Sequence, residues 1–188
     1  HDGKSERMLK EALIDRHERS SFLVATKLPT MMLKEVDEME SIFNEQLERT
    51  GAGYFDYYLL HCLNKDNYET CKRLGAFEFV QQKKSDGLAR RIGFSYHDNA
   101  ELLDTILTEH PEMEFVQLQI NYLDWEDKNV QSRACYEVAR KHGKDIIVME
   151  PVKGGTLANV PDRVANMFRN AQPEMSVPSW AIRFAAGL

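Results

Sequence analysis

The sequence predicts an α/β fold, a (β/α)8 TIM barrel of which this chain carries an incomplete portion with about five parallel strands. Three observations predict it. Short apolar runs alternate with amphipathic stretches, the pair recurring about every 30 residues, a rhythm that requires parallel strands joined by right-handed helical crossovers. A polar side chain stands at or beside the C-terminal end of each run, namely Lys27, His61, Ser95, Asn121 and Glu150, as in a barrel that builds its site from many strand ends. No GxGxxG follows any run, which argues against the dinucleotide-binding open sheet.

A first helix is expected over residues 4–17, where Met8, Leu9, Ala12 and Leu13 form one apolar stripe. Residues 22–26 are a short apolar strand ending in Lys27, with a break at Pro29. Leu33, Val36, Met39, Phe43 and Leu47 mark a second amphipathic helix, which Gly51 ends. Residues 54–61 are aromatic or aliphatic nearly throughout and break into the polar Asn64, Lys65, Asp66 and Asn67. That is the profile of a buried parallel strand with a loop at its C-terminal end, where His61 stands.

A third helix is expected within residues 68–84, with Leu74, Phe77 and Val80 inward, stopping at the turn signal of Asp86 and Gly87. Residues 89–95 form a strand ending in Ser95, and Asp98 or Asn99 caps the helix that carries Leu102, Leu103, Ile106 and Leu107. Residues 115–121 alternate apolar and polar, with Gln117, Gln119 and Asn121 on one face; in a closed barrel one face of each strand lines the interior. A helix over 130–142 leads to a fifth strand, 145–149, and a loop with two glycines, 150–155. Two more helical stretches follow, one over 162–170 and one opened by Ser176 as N-cap with Pro178 in its first turn.

With 188 residues, 43% apolar and 29% charged, the chain has the composition of one globular domain, so residues 1–188 are read as part of a single barrel domain and disorder or collagen is excluded. Its apolar runs are far shorter than the roughly 20 residues of a spanning helix, and its first residues lack a signal-peptide core. A soluble, cytoplasmic protein is expected. A net charge of -6, from 24 basic and 30 acidic residues, offers no positive field for nucleic acid or anionic lipid. Lys83 with Lys84 and Arg90 with Arg91 read as solvated ends of a helix and a strand. Cys62, Cys71 and Cys135, odd in number and widely spaced with no CxxC, read as reduced thiols. No metal is expected, because His61 and His97 lack His or carboxylate partners at ligand spacing.

Lys27 and His61 are the nucleus of the candidate site, an ammonium and an imidazole at two successive strand ends. Taken singly, one is a surface lysine after a strand and the other a satisfied histidine. Their sequence context resembles the aldo/keto reductases over essentially the whole chain: Gly3 to Glu6 opening the first helix, Thr26 and Lys27, Phe55 to His61, Gly87 to Ser95, Gln117 to Asn121, Pro151 to Gly155, and Trp180 to Phe184. Each segment is weak alone, but the set in this order is specific.

The resemblance implies a barrel that binds a nicotinamide cofactor, NADPH or alternatively NADH, and reduces a small aldehyde or ketone by hydride transfer. It implies that Lys27 and His61 are the lysine and histidine of a catalytic set completed by a tyrosine and an aspartate. Lys27 would lower the pKa of the tyrosine, and His61 would donate a hydrogen bond to the carbonyl oxygen. Ser95 and Gln117 match positions that hold the nicotinamide carboxamide. Met149 stands where many relatives stack an aromatic ring on the nicotinamide, and Val152, Lys153 and Gly154 match the loop along the pyrophosphate. Tyr96 replaces an asparagine common after the serine, and Glu150 replaces a small hydroxyl residue.

A complete barrel has eight strands in typically about 250 residues, so an excerpt of a longer protein is expected. By the resemblance, the tyrosine and aspartate would precede Gly3 and the adenosine-binding segment would follow Leu188, so these residues alone are expected to be inactive. Two other functions compete. One is a non-catalytic regulatory module that keeps the cofactor pocket, and the other is a barrel aldolase forming a Schiff base at Lys27.

Overall fold

The computed structural model describes residues 3–188. Its strands β1 (Ala25–Leu28), β2 (Phe55–Leu63), β3 (Ala89–Tyr96), β4 (Phe115–Gln119) and β5 (Asp145–Met149) form one sheet in chain order, and every adjacent pair is parallel. Helix α1 (Lys4–Leu9) precedes the sheet. The crossovers carry α2 (Asp37–Thr50), α3 (Lys65–Leu74) with α4 (Ala76–Ser85), α5 (Ala100–Glu109) and α6 (Ser132–Lys141) in turn, and α7 (Asp162–Ala171) and α8 (Val177–Ala186) follow β5.

Period-two alternation divides the sheet into two faces. Tyr58, Leu60, Ile92, Phe94, Val116 and Leu118 pack against the helices in the main core with Phe43, Phe77 and Leu107. The register places Lys27 beside Leu59, Leu59 beside Gly93, Gly93 beside Phe115 and Phe115 beside Asp145 on the opposite, inner face. Its N-terminal end is closed by Arg91, whose guanidinium lies 5.7 Å from the Tyr57 ring centre and 5.8 Å from that of Phe115 and pairs with Asp145 at 2.7 Å. The C-terminal end is left for polar groups.

Several local expectations change. The first helix turns from α to π geometry over Lys10–Ile14, with Asp15 N–H donating to Lys10 O. Leu9 and Ile14 are the residues that pack on the core while Met8 is exposed; a five-residue spacing is in phase with a π turn and not with an α turn. The single helix expected before Asp86 is two, because Gly75 adopts a left-handed conformation (φ 72) that ends α3. Asn99, not Asp98, caps α5 through Leu102 N–H at 2.9 Å. Ser176 occupies the N-cap of α8 but bonds Ser179 Oγ instead of a backbone amide.

The basic pairs are not simply solvated ends. Lys83 is buried, its ammonium 2.7 Å from Glu40 Oε2 and over the rings of Phe43 and Phe79, since a lysine can line an apolar wall with its stem if its head is paired. Arg90 joins Arg19 on the buried carboxylate of Asp56. Cys62, Cys71 and Cys135 are free thiols.

Candidate active site

Strand β1 ends just before Pro29, and β2 runs beside it to its own polar end. Lys27 and His61 therefore line one cleft of about 720 Å³, together with Thr26, Pro29, Met32 and Gln46. Among the described residues, neither the Lys27 ammonium nor the His61 ring has a hydrogen bond or ion pair. Both are half-buried and available to a ligand.

Their backbones, by contrast, are held tightly. Gln46 Nε2 donates to Lys27 O at 2.8 Å, and Gln46 Oε1 accepts from the buried Tyr58 hydroxyl at 2.9 Å. Thr30 Oγ1 donates to His61 O at 2.5 Å. Beyond His61 the β2–β3 register shifts between Leu60 and Leu63, and Cys62 takes a left-handed conformation (φ 60). This is a bulge of the kind that re-aims a side chain at the end of a strand. Ser95 Oγ accepts from Cys62 N–H at 2.8 Å, and Asn67 Nδ2 donates to Cys62 O at 2.7 Å.

A third basic group acts on the mouth. His97 follows β3, its backbone N–H donating to Leu63 O at 3.0 Å, and it lies near enough to Lys27 and His61 to act on both electrostatically. Burial is the main cause that lowers the pKa of Lys27. His61 is lowered by burial first, then by the Lys27 ammonium and by His97. His97 is lowered by burial and by Lys27. Both imidazoles are consequently held neutral below the usual histidine range, as hydrogen-bonding groups beside a positive charge.

Ser95 and Gln117 are direct register partners on β3 and β4. Gln117 Oε1 is buried with no hydrogen-bond partner among the described residues. An amide oxygen left unpaired in the interior is costly unless something donates to it. Ser95 Oγ already accepts from Cys62 and retains its own proton to donate. A carboxamide has the complementary set, two N–H donors and one acceptor, so the pair fits a nicotinamide amide.

The remaining expected residues lie farther along. Met149 ends β5 beside Gln119. Lys153 turns its ammonium onto the buried Asp124 carboxylate, which also accepts from Gln119 Nε2 and Asn121 Nδ2, each at 2.8 Å. Its side chain is thus engaged within the fold. In the loop, Lys153 N–H bonds Glu150 O and Gly155 N–H bonds Val152 O, while the N–H groups of Val152 and Gly154 have no partner among the described residues. Glu150 and Lys153 both have positive φ (57 and 48). Tyr96 is buried, with its hydroxyl donating to Asn99 O at 2.6 Å, so it does not take over the role of an asparagine amide facing the site.

Sequence reasoning missed Thr30, Gln46 and Asn67. Gln46 had a signal, a polar residue on the same helix face as the apolar Met39 and Phe43. Asn67 had one too, since Asn64 and Asn67 make a reciprocal capping box at the start of α3.

The aldo/keto reductase family description matches residues 1–184. The chain belongs to the aldo/keto reductase family. No curated protein matches it. Among solved structures, the holo form of an aldo-keto reductase from Bacillus halodurans superposes with a TM-score of 0.65 at 21% identity, over 83% of this chain and 49% of that one. An aldo/keto reductase from Klebsiella pneumoniae, in complex with NADP and acetate, gives 0.70 at 18% identity, over 94% and 59%. The glycerol dehydrogenase of Gluconobacter oxydans gives 0.71 at 18% identity, over 97% and 64%. At such identities the likeness is one of fold, and it identifies the five parallel strands as part of a (β/α)8 aldo/keto reductase barrel. The chain spans less than two thirds of each of these three proteins. Among its described residues no helix is long and apolar enough to cross a membrane, and no three His, Cys, Asp or Glu side chains gather as metal ligands.

Proposed function

We propose that the protein carrying this chain reduces small aldehydes or ketones with NADPH. The observation that carries this reading is the convergence of Lys27 and His61, both without partners among the described residues, in one cleft at the ends of adjacent parallel strands. Gln117 Oε1, unpaired among the described residues and beside the Ser95 hydroxyl, supports the cofactor, and an aldo-keto reductase from Klebsiella pneumoniae is described in complex with NADPH. Val152 and Gly154 offer backbone N–H groups toward a pyrophosphate.

A bound nicotinamide supplies the hydride. The chain's own residues meet the charge that develops on the carbonyl oxygen as hydride adds to carbon. His61, neutral because burial and Lys27 disfavour its cationic form, donates a ring N–H to that oxygen and orients the substrate. The Lys27 ammonium places positive charge beside the same oxygen and stabilises the phenolate form of a tyrosine that delivers the proton. Ser95 and Gln117 hold the carboxamide, fixing which face of the ring meets substrate. The test is NADPH oxidation by the full-length protein with para-nitrobenzaldehyde and a ketone panel. Turnover that Lys27→Met abolishes is expected; absence of turnover with every carbonyl, despite cofactor binding, would overturn the reading.

A further inference from the structure

The hydrogen bonds that hold His61 run through two side chains outside every segment on which the family resemblance rests. Strands β2 and β3 pair in register to Leu60 and Phe94 and pair again only at Leu63 and Tyr96. Within that gap β2 has one residue too many, and its backbone polar groups must find partners other than the ladder. They find side chains. Thr30 serves His61 O, Ser95 serves Cys62 N–H, and Asn67 serves Cys62 O.

Proton counting makes Asn67 the centre of this set. A threonine hydroxyl has one proton, and Thr30 gives it to His61 O, so toward Asn67 it acts as acceptor; Asn67 Nδ2 lies 3.2 Å from Thr30 Oγ1. The second amide proton of Asn67 goes to Cys62 O at 2.7 Å. Its Oδ1 accepts from Asn64 N–H at 3.0 Å, which fixes the amide orientation and aims both protons at the bulge. Thr30 and Asn67 are 1% and 8% exposed, leaving little access for water to replace either. Because Thr30 also belongs to the turn that follows β1, the same bonds tie the Lys27 strand end to the His61 strand end.

We propose that Asn67 is a positioning residue for His61, acting through Thr30 and the Cys62 carbonyl; this rests on the carbonyl-reductase role given to His61 above. Asn67 touches neither substrate nor cofactor. It holds the left-handed bulge that decides where the imidazole points, and a displacement of that ring by a fraction of its contact distance costs rate.

The experiment is a double-mutant cycle in the full-length protein, following NADPH oxidation with para-nitrobenzaldehyde. Asn67→Ala and Thr30→Val are each expected to lower kcat by at least about tenfold with the KM for NADPH unchanged, and Thr30→Ser to restore most of the rate. In a His61→Gln background neither substitution is expected to lower the rate further. Equal losses in both backgrounds, or no loss from Asn67→Ala in the parent, would overturn the positioning role while leaving His61 in place. If His61→Gln alone leaves turnover unchanged, the role of His61 itself is wrong.

Discussion

Ser95 on β3 lies in direct register with Gln117 on β4, and the two side chains are in opposite conditions: the Ser95 oxygen is engaged by Cys62 N–H, whereas Gln117 Oε1 is buried without a donor among the described residues. A buried acceptor without a partner destabilises the fold that contains it. Gln117→Leu is therefore expected to act in two directions. It should raise the stability of the cofactor-free protein by about 1 kcal/mol in urea unfolding, and weaken NADPH binding by about tenfold or more in a fluorescence titration. A variant that is less stable and binds equally well would show that no ligand donates to this oxygen.

Lys27 tests the chemistry apart from binding. Its ammonium has no ion-pair partner among the described residues, and Gln46 holds its backbone rather than its side chain. Lys27→Met should keep the fold and largely keep NADPH affinity, while kcat for carbonyl reduction drops by about 100-fold or more. Borohydride trapping of a carbonyl substrate on Lys27, together with failure to consume NADPH, would point to Schiff-base chemistry instead.

The two mouth imidazoles give a pH signature. Burial first, then Lys27, hold His61 and His97 below the ordinary histidine value of 6.5, with His97 also lowering His61. As pH falls below that value the unfolded chain takes up protons at these rings that the folded state refuses. Their contribution is thus intact above 6.5 and lost as pH drops toward the depressed values. Urea midpoints at about pH 7.5 and about pH 5.5 should differ less in a His61→Gln, His97→Gln variant than in the parent. An identical difference in both proteins would mean that these rings titrate freely.

Gly93 is a packing requirement of the inner face. A Cβ added there would lie 2.3 Å from Phe115 O and 2.8 Å from its ring, and a strand carbonyl cannot move aside without breaking the β3–β4 ladder. Gly93→Ala is expected to cost about 3 kcal/mol in unfolding experiments. A cost near zero would show that β4 can shift relative to β3.

Order and spacing along the chain were enough to read the parallel sheet, the inner face of β4 and the polar strand ends. Those follow from local rules: period-two alternation tells which way a side chain points, and the residue that ends an apolar run tells where a strand opens to solvent. Thus Lys27, His61 and Ser95 were legible as polar strand ends, and Gln117 as a residue of the inner face, before any contact was known. The division of one expected helix at Gly75, the π turn that brings Leu9 and Ile14 together and the burial of Lys83 against Glu40 were not. Each depends on what a segment packs against.

The tertiary structure alone decided how the site is held. It turned Lys153 onto Asp124, placed the Cys62 bulge at the end of β2, and brought Thr30 and Asn67 to the two backbone carbonyls that bulge exposes. Side-chain direction is set within a few residues of chain. Which donor meets which acceptor is set by the register between strands, and that register is fixed by core side chains distant in the sequence from the groups it pairs.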